Sequence, residues 1–265
     1  MAGTCLQKLL AREGSELKAQ LKPNLLQKLR GIKVVVTDID GTLTDNKHII
    51  SVKAIEAIRI LEKKGIKVIL VSGNALPILG TLARYIGTCG YVIAENGCVI
   101  GRFFKPIYIV NRKFPQDKVT EILENLGFIS SPTNPYRYVD LAFIRTEKSA
   151  KLTVNQISKT LEKRGIRNVE ITDSGFAVHI APQGVNKAFG VQKLVEIMNI
   201  SLENVLAVGD GDNDAEILEI AGVSACPANA SKKIKEIADI VLSKENGDGF
   251  YELASFLLEI QGKGD

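Results

Sequence analysis

The chain has 265 residues, 45% hydrophobic and 24% charged, which is ordinary for a globular protein and enough to bury a sizeable core. Its formal net charge of +4 is unevenly spread: residues 1–33 hold seven Lys/Arg against two Asp/Glu, a net of +5, and the rest carries −1. A body with no basic surplus, and no Trp to stack on bases, argues against nucleic acid as a partner.

Residues 1–30 read as a basic helical extension. Leu6, Leu9, Leu10, Leu17 and Leu21 fall at helical spacings, Gly14 interrupts them and Pro23 ends the run. A helix packed on the body is the plainer reading; a dimer contact or a membrane-surface arm is the sharper one. From Lys33 the pattern becomes alternation of strand and helix. Val34–Ile39 is β-branched without polar alternation, as in a central parallel strand buried on both faces. Val52–Lys64 is a helix stopped at Gly65, Lys67–Val71 a strand, Ala75–Ile86 a helix and Tyr91–Ala94 a third strand. The stretch 105–183 reads differently. Strand-like Ile107–Val110, Tyr138–Ile144, Asn168–Thr172 and Ala177–Ile180 flank helices at Gln116–Leu126 and Val154–Lys163. The βα alternation then resumes with Lys187–Met198, Val205–Val208, Asp214–Ile220 and Val223–Cys226. Ile234–Ala238, Ile240–Leu242 and Tyr251–Ile260 complete it. The expected fold is α/β, a doubly wound Rossmann-like parallel sheet over 31–104 and 184–265, carrying an inserted α+β module at 105–183.

Cys5, Cys89, Cys98 and Cys226 form no CxxC pair and no ligand spacing with His48 or His179, so they read as small apolar residues in a reducing compartment. No apolar run reaches the roughly 20 residues that span a bilayer, and charges interrupt the N-terminus before a signal-peptide core can form. A cytoplasmic protein is expected.

Ligands of an open α/β sheet bind beyond the carboxyl ends of its strands. The polar groups expected there come from four separate stretches. Asp38 and Asp40 follow the first strand, and side chains two apart on an extended strand share a face. Two carboxylates aimed at one spot raise each other's pKa unless a cation lies between them, and oxygen ligands of this kind suit Mg²⁺. One can attack phosphorus while the other exchanges a proton with the leaving oxygen. A solvated turn is the alternative for an isolated DxD, weakened here by the apolar run before it. Ser72-Gly73-Asn74 follows the second strand and reads as a phosphate cradle or as a simple helix cap. Lys187 opens a helix. Gly209-Asp210-Gly211-Asp212-Asn213-Asp214 follows Val208; an EF-hand loop is excluded, since Ala215 and Ala221 stand where its Gly and Glu belong.

In this order, Asp38-x-Asp40-Gly41-Thr42, Ser72, Lys187 and Gly209-Asp210-x-x-Asn213-Asp214 resemble the haloacid dehalogenase superfamily of phosphatases. The insert looks like that superfamily's C2-type cap. Ser72–Asn74 and Glu95–Gly97 look most like archaeal phosphoglycolate phosphatases, although Asn74 stands where many relatives carry Arg. The resemblance implies Asp38 as nucleophile, forming an aspartyl phosphate, and Asp40 as general acid and then base, giving its backbone oxygen to Mg²⁺. It implies Thr42, Ser72, Gly73, Asn74 and Lys187 around the phosphate, and Asp210 as a metal ligand. Asp214 ligates the metal or orients its surroundings, and Asn213 faces the substrate or backs the site. Arg102, Arg137, Arg145 and His179 are candidates for a substrate carboxylate. The expected partner is a small phosphorylated metabolite, 2-phosphoglycolate first, with neither nucleic acid nor membrane, and with a homodimer left open. A sugar-phosphate phosphatase or phosphomutase is the main alternative. A receiver-like signalling module fits less well, because it lacks an insert and usually puts its phospho-acceptor on a later strand.

Overall fold

Strand β1 (Val34–Thr37) shows why the main sheet is buried on both sides: Val35 packs into one apolar cluster, and Val34 and Val36 into another. The same division recurs in β2 (Lys67–Val71), with Val68 and Leu70 on one face and Ile69 and Val71 on the other. It follows from the two-residue repeat of an extended chain. The computed structural model describes residues 23–262; the helix expected over Leu6–Leu21, and Cys5, lie outside them.

The first face is covered by α1 (Pro23–Arg30), α2 (Val52–Lys63), α3 (Leu76–Ile86) and α9 (Asn246–Gln261), through residues such as Leu29, Ile58, Leu79 and Phe256. The second is covered by α6 (Lys187–Met198), α7 (Ala215–Ile220) and α8 (Lys232–Ile237), through Val191, Leu194, Ile217 and Ile234. Around β1 and β2 stand β3 (Tyr91–Ala94), β4 (Val99–Arg102), β5 (Lys105–Ile109), β10 (Val205–Val208), β11 (Val223–Cys226) and β12 (Ile240–Val241). Their order is β12-β11-β10-β1-β2-β3-β4-β5. The six strands from β12 to β3 are parallel, so β1 and β10 end side by side at the same edge.

The expected module boundary is corrected here. The strand read at Ile107–Val110 as the first of the insert is β5, and it pairs antiparallel with β4 in the main sheet. The turn Glu95–Gly97 reverses the chain after β3, and the left-handed Phe103 (φ 52°) reverses it again, so two antiparallel strands extend an otherwise parallel sheet. The second sheet consists of β6 (Ile129–Ser130), β7 (Leu141–Ile144), β8 (Val169–Asp173) and β9 (Ala177–Pro182), all antiparallel, in the order β6-β7-β9-β8. It packs on α4 (Gln116–Asn125) and α5 (Val154–Lys163) around its own core of Leu123, Phe143, Ile157, Leu161 and Val178.

Gly97 fixes how this frame meets α6. Its φ is +100°, and a Cβ there would lie 2.0 Å from the carbonyl oxygen of Asn186, the residue that caps α6 and precedes Lys187. Gly97→Ala is therefore expected to cost about 1–3 kcal/mol, combining left-handed strain with a backbone clash. Urea denaturation checks this; a loss under about 0.5 kcal/mol would mean that the turn yields freely.

Among the described residues no helix is long and apolar enough to cross a membrane. Cys89, Cys98 and Cys226 are free thiols, the last two buried.

Candidate active site

At the shared edge of β1 and β10 the chain leaves the sheet into two loops that touch. Asp38 continues the pairing by donating its N–H to Val208 O at 2.9 Å, after which Leu43 and Thr44 fold back onto Ile39 O. Gly41, at φ +80°, permits the closest approach: a Cβ there would lie 2.2 Å from Asp210 Oδ2. Thr42 Oγ1 donates to Asp210 Oδ1 at 2.9 Å, joining the first motif to the last.

Lys187 is the centre of the arrangement. Asn186 caps α6 by accepting the N–H of Phe189, which fixes the first turn, and Lys187 Nζ lies 2.6 Å from both Asp38 Oδ1 and Asp214 Oδ1. All three side chains are almost wholly buried. Burial works against the ammonium, but Asp214 and Asp38 outweigh it and hold Lys187 well above its ordinary value. Asp38 is pushed well above the usual carboxylate range, first by burial and then by Asp214. Burial, followed by Asp214, raises Asp210 to about 6 against the Thr42 hydrogen bond.

One oxygen each of Asp38, Asp210 and Asp214 lie within 4.8 Å of one another. Three carboxylates against one ammonium leave two negative charges in excess in a desolvated place. An all-oxygen donor set with that deficit fits a divalent magnesium ion. The oxygens are not equally available. Asp214 Oδ1 is taken by Lys187, and its Oδ2 accepts the N–H groups of Asp210 and Gly211 at 3.1 Å each. Asp38 and Asp210 make fewer such contacts, so they suit direct ligation better than Asp214 does.

Asp40 departs from the expected geometry. Strand β1 ends at Thr37, so the shared-face rule for strand residues does not extend to Asp38 and Asp40. Asp40 lies outside the carboxylate cluster; its side chain is 52% exposed and meets His48 Nδ1 at 2.9 Å. Both aspartates nevertheless line one cavity of about 480 Å³, together with Ser72, Gly73, Asn74, Lys187, Asp210 and Asn213.

Ser72 follows β2 and is not the cap of α3, whose N-cap is Ala75. Its hydroxyl accepts the backbone and side-chain N–H groups of Asn74 at 3.1 and 3.0 Å, which fixes the loop and leaves the hydroxyl hydrogen to be donated. Asn74 is thereby occupied in holding Ser72.

The family model described as haloacid dehalogenase-like hydrolase matches residues 35–134 and 127–253. The chain belongs to this family. It is 39% identical over 230 residues to the protein named phosphoglycolate phosphatase 1 of Saccharolobus solfataricus, covering 86% of this chain and 96% of that one. A phosphoglycolate phosphatase of Picrophilus torridus is 39% identical over 228 residues, with 84% and 90% covered. Among solved structures, Thermoplasma acidophilum 0175 superposes with a TM-score of 0.76 at 32% identity, covering 86% of this chain and 99% of that one.

In this haloacid dehalogenase-like hydrolase the second sheet and its connecting loops supply the opposite wall of the cavity, Ala142 and His179 from strands and Ser131, Thr133, Arg137 and Phe176 from the loops. Glu95 and Asn96, quoted in the sequence only as part of a family-like string, and Asp140, which sequence reasoning did not single out, hold that wall in place. Glu95, buried and left-handed (φ 52°), accepts the N–H groups of Tyr138, Val139 and Asp140. Burial, and then Asp140, raise its carboxyl to about 7. Asp140 accepts from Arg137, and its other oxygen meets His179 and Asn96. The visible signal was one acid inside the apolar run Tyr138–Ile144, which is costly to bury unless paired.

Proposed function

We propose that the chain is a magnesium-dependent phosphatase that hydrolyses a small phosphorylated metabolite, 2-phosphoglycolate in preference to others, through a phosphoaspartate on Asp38. The observation that carries this reading is the buried bridge from Lys187 to Asp38 and Asp214, beside Asp210 and open to the cavity. The names of the archaeal relatives support the substrate.

Lys187 engages Oδ1 of Asp38, the oxygen that would also face the ion, which leaves Oδ2 to attack phosphorus. An Asp38–phosphorus bond forms as the ester bond breaks, and Asp40 gives its proton to the departing alkoxide. Asp40, more exposed than Asp38 and lining the same cavity, then takes a proton from the water that cleaves the phosphoaspartate and releases inorganic phosphate. Ser72 Oγ and the Gly73 backbone hold phosphate oxygens, and Thr42 holds Asp210 in register. Asp38, Asp210 and the backbone oxygen of Asp40 would hold the ion, with Asp214 orienting Lys187 and the Asp210 loop. When bound, magnesium neutralises charge on the phosphoryl group. The second sheet with its two helices acts as the cap that excludes water and reads the organic part of the substrate.

Specific activity across phosphorylated metabolites tests the substrate: release of phosphate from 2-phosphoglycolate well above that from sugar phosphates is expected. Isomerised sugar phosphate without free phosphate would instead indicate a mutase. Excess chelator is expected to bring phosphate release to background and added Mg²⁺ to restore it. Full activity in chelator would remove the ion from this scheme.

A further inference from the structure

The phosphoryl end of the cavity is accounted for by the main sheet, which leaves the question of what the opposite wall recognises. Of the four residues considered for a substrate carboxylate, two lie away from the cavity. The Arg102 guanidinium lies 5.5 Å over the Tyr91 ring, and Arg145 binds Asp173 and the carbonyls of Ser149 and Leu152. Neither lines the cavity. Arg137 and His179 both do.

These two converge on one residue of the main sheet's loops. Arg137 NH1 donates to the Gly73 carbonyl at 2.9 Å, and its Nε donates to Thr133 Oγ1 at 3.2 Å. His179 presses its Cε1–Nε2 edge against Gly73, where a Cβ would come within 2.9 and 3.0 Å of those atoms. Gly73 belongs to the proposed phosphate cradle, so the pair abuts the cradle directly. Asp140 sets their orientation. It is 1% exposed; Oδ1 takes Arg137 NH1 at 2.5 Å, and Oδ2 lies 3.1 Å from His179 Nδ1 and 3.5 Å from Asn96 Nδ2. With Nδ1 directed to Asp140, Nε2 is the ring's remaining nitrogen, and it donates to a substrate carboxylate only in the form that carries hydrogen on both nitrogens. Glu95 pins the backbone of Asp140 itself, so the wall is anchored from the main sheet.

We propose that Arg137 and His179, aligned by Asp140, form an anion-reading wall that selects phosphoesters bearing a carboxylate close to the ester oxygen, with His179 the specificity-determining contact. A compact substrate suits this arrangement, because Arg137 and His179 meet the phosphate-side loop at Gly73. A Cβ at Gly73 would press on the His179 ring and on Asn96 Nδ2 at 2.9–3.0 Å, so a side chain there would displace the wall. The inference rests on the phosphatase reading above and adds to it the chemistry of the second anionic subsite.

The test compares kcat/KM for 2-phosphoglycolate with kcat/KM for p-nitrophenyl phosphate, which has no carboxylate. In His179→Gln the ratio is expected to fall about 10–100-fold, as when one charge-assisted hydrogen bond is lost, with the change carried by KM for the carboxylated ester. Arg137→Lys, which keeps the charge and loses the fork, is expected to lower the ratio as well. An unchanged ratio in both variants, whether both activities drop together or neither does, overturns the proposal. A measurement without mutation guards against misfolding: glycolate should inhibit p-nitrophenyl phosphate hydrolysis competitively, with an inhibition constant at least about tenfold below that of ethylene glycol. Equal inhibition counts against the wall. If the unaltered protein cleaves both esters equally well, the phosphatase stands and the carboxylate wall falls; if it cleaves neither, both readings fall.

Discussion

Asp38→Asn is expected to lower phosphate release from any ester by about 10⁴-fold or more, while leaving the fold intact. Asn keeps the shape of the side chain and an oxygen for Lys187, but an amide oxygen is too weak a nucleophile to displace an alkoxide. The protein should not suffer from the change. Asp38 is buried beside Asp214 and Asp210, and burial with that repulsion already raises its pKa, so removing one charge relieves an unfavourable contact. Thermal unfolding should therefore give a Tm equal to or above that of the unaltered protein. Residual turnover above about 1% in a purified, folded variant would displace Asp38 from its role.

Lys187→Met is expected to have the largest effect on stability. The ammonium is 3% exposed and contacts two carboxylates at 2.6 Å; without it, three acids share a desolvated pocket with no compensating cation. Breaking a buried pair from one side costs about 3–5 kcal/mol, limited by the ability of the orphaned acids to take up protons. Urea denaturation in chelator measures that cost, and Mg²⁺ should restore more stability to the variant than it adds to the unaltered protein. A loss under about 1 kcal/mol in chelator would mean that the three acids do not depend on Lys187 for their charge balance. Turnover should disappear as well, since phosphoryl transfer depends on neutralising charge at this point.

The elements with the clearest patterns were legible from residues alone. Strands β2, β3, β10 and β11 and helices α5 and α6 begin and end where their apolar runs do. Asp38, Lys187, Asp210 and Asp214, read from three separated stretches, come together in the structure because parallel strands end at a common edge. The hairpin of β4 and β5 was not legible as part of the main sheet. Its reversal depends on left-handed turns at Glu95–Gly97 and at Phe103, and a non-glycine residue in that conformation leaves no mark in composition. The direction of the Asp40 side chain was misread for a related reason: two-residue periodicity holds only while the chain stays extended, and β1 stops one residue before Asp38. The Glu95–Asp140–His179 connection spans 84 positions and is made by tertiary contact alone, so no local pattern could reveal it.

The two walls of the cavity are inherited on different stretches of chain. The clustered charges proposed to handle phosphorus sit on loops after β1 and β10 and on the first turn of α6, whereas the facing surface comes from residues 131–144 and 172–179. Substitutions in those two short segments leave the balance of three acids and one lysine untouched. On the proposed reading, recognition and reaction are therefore separable in sequence, and the first can be altered without touching the residues of the second.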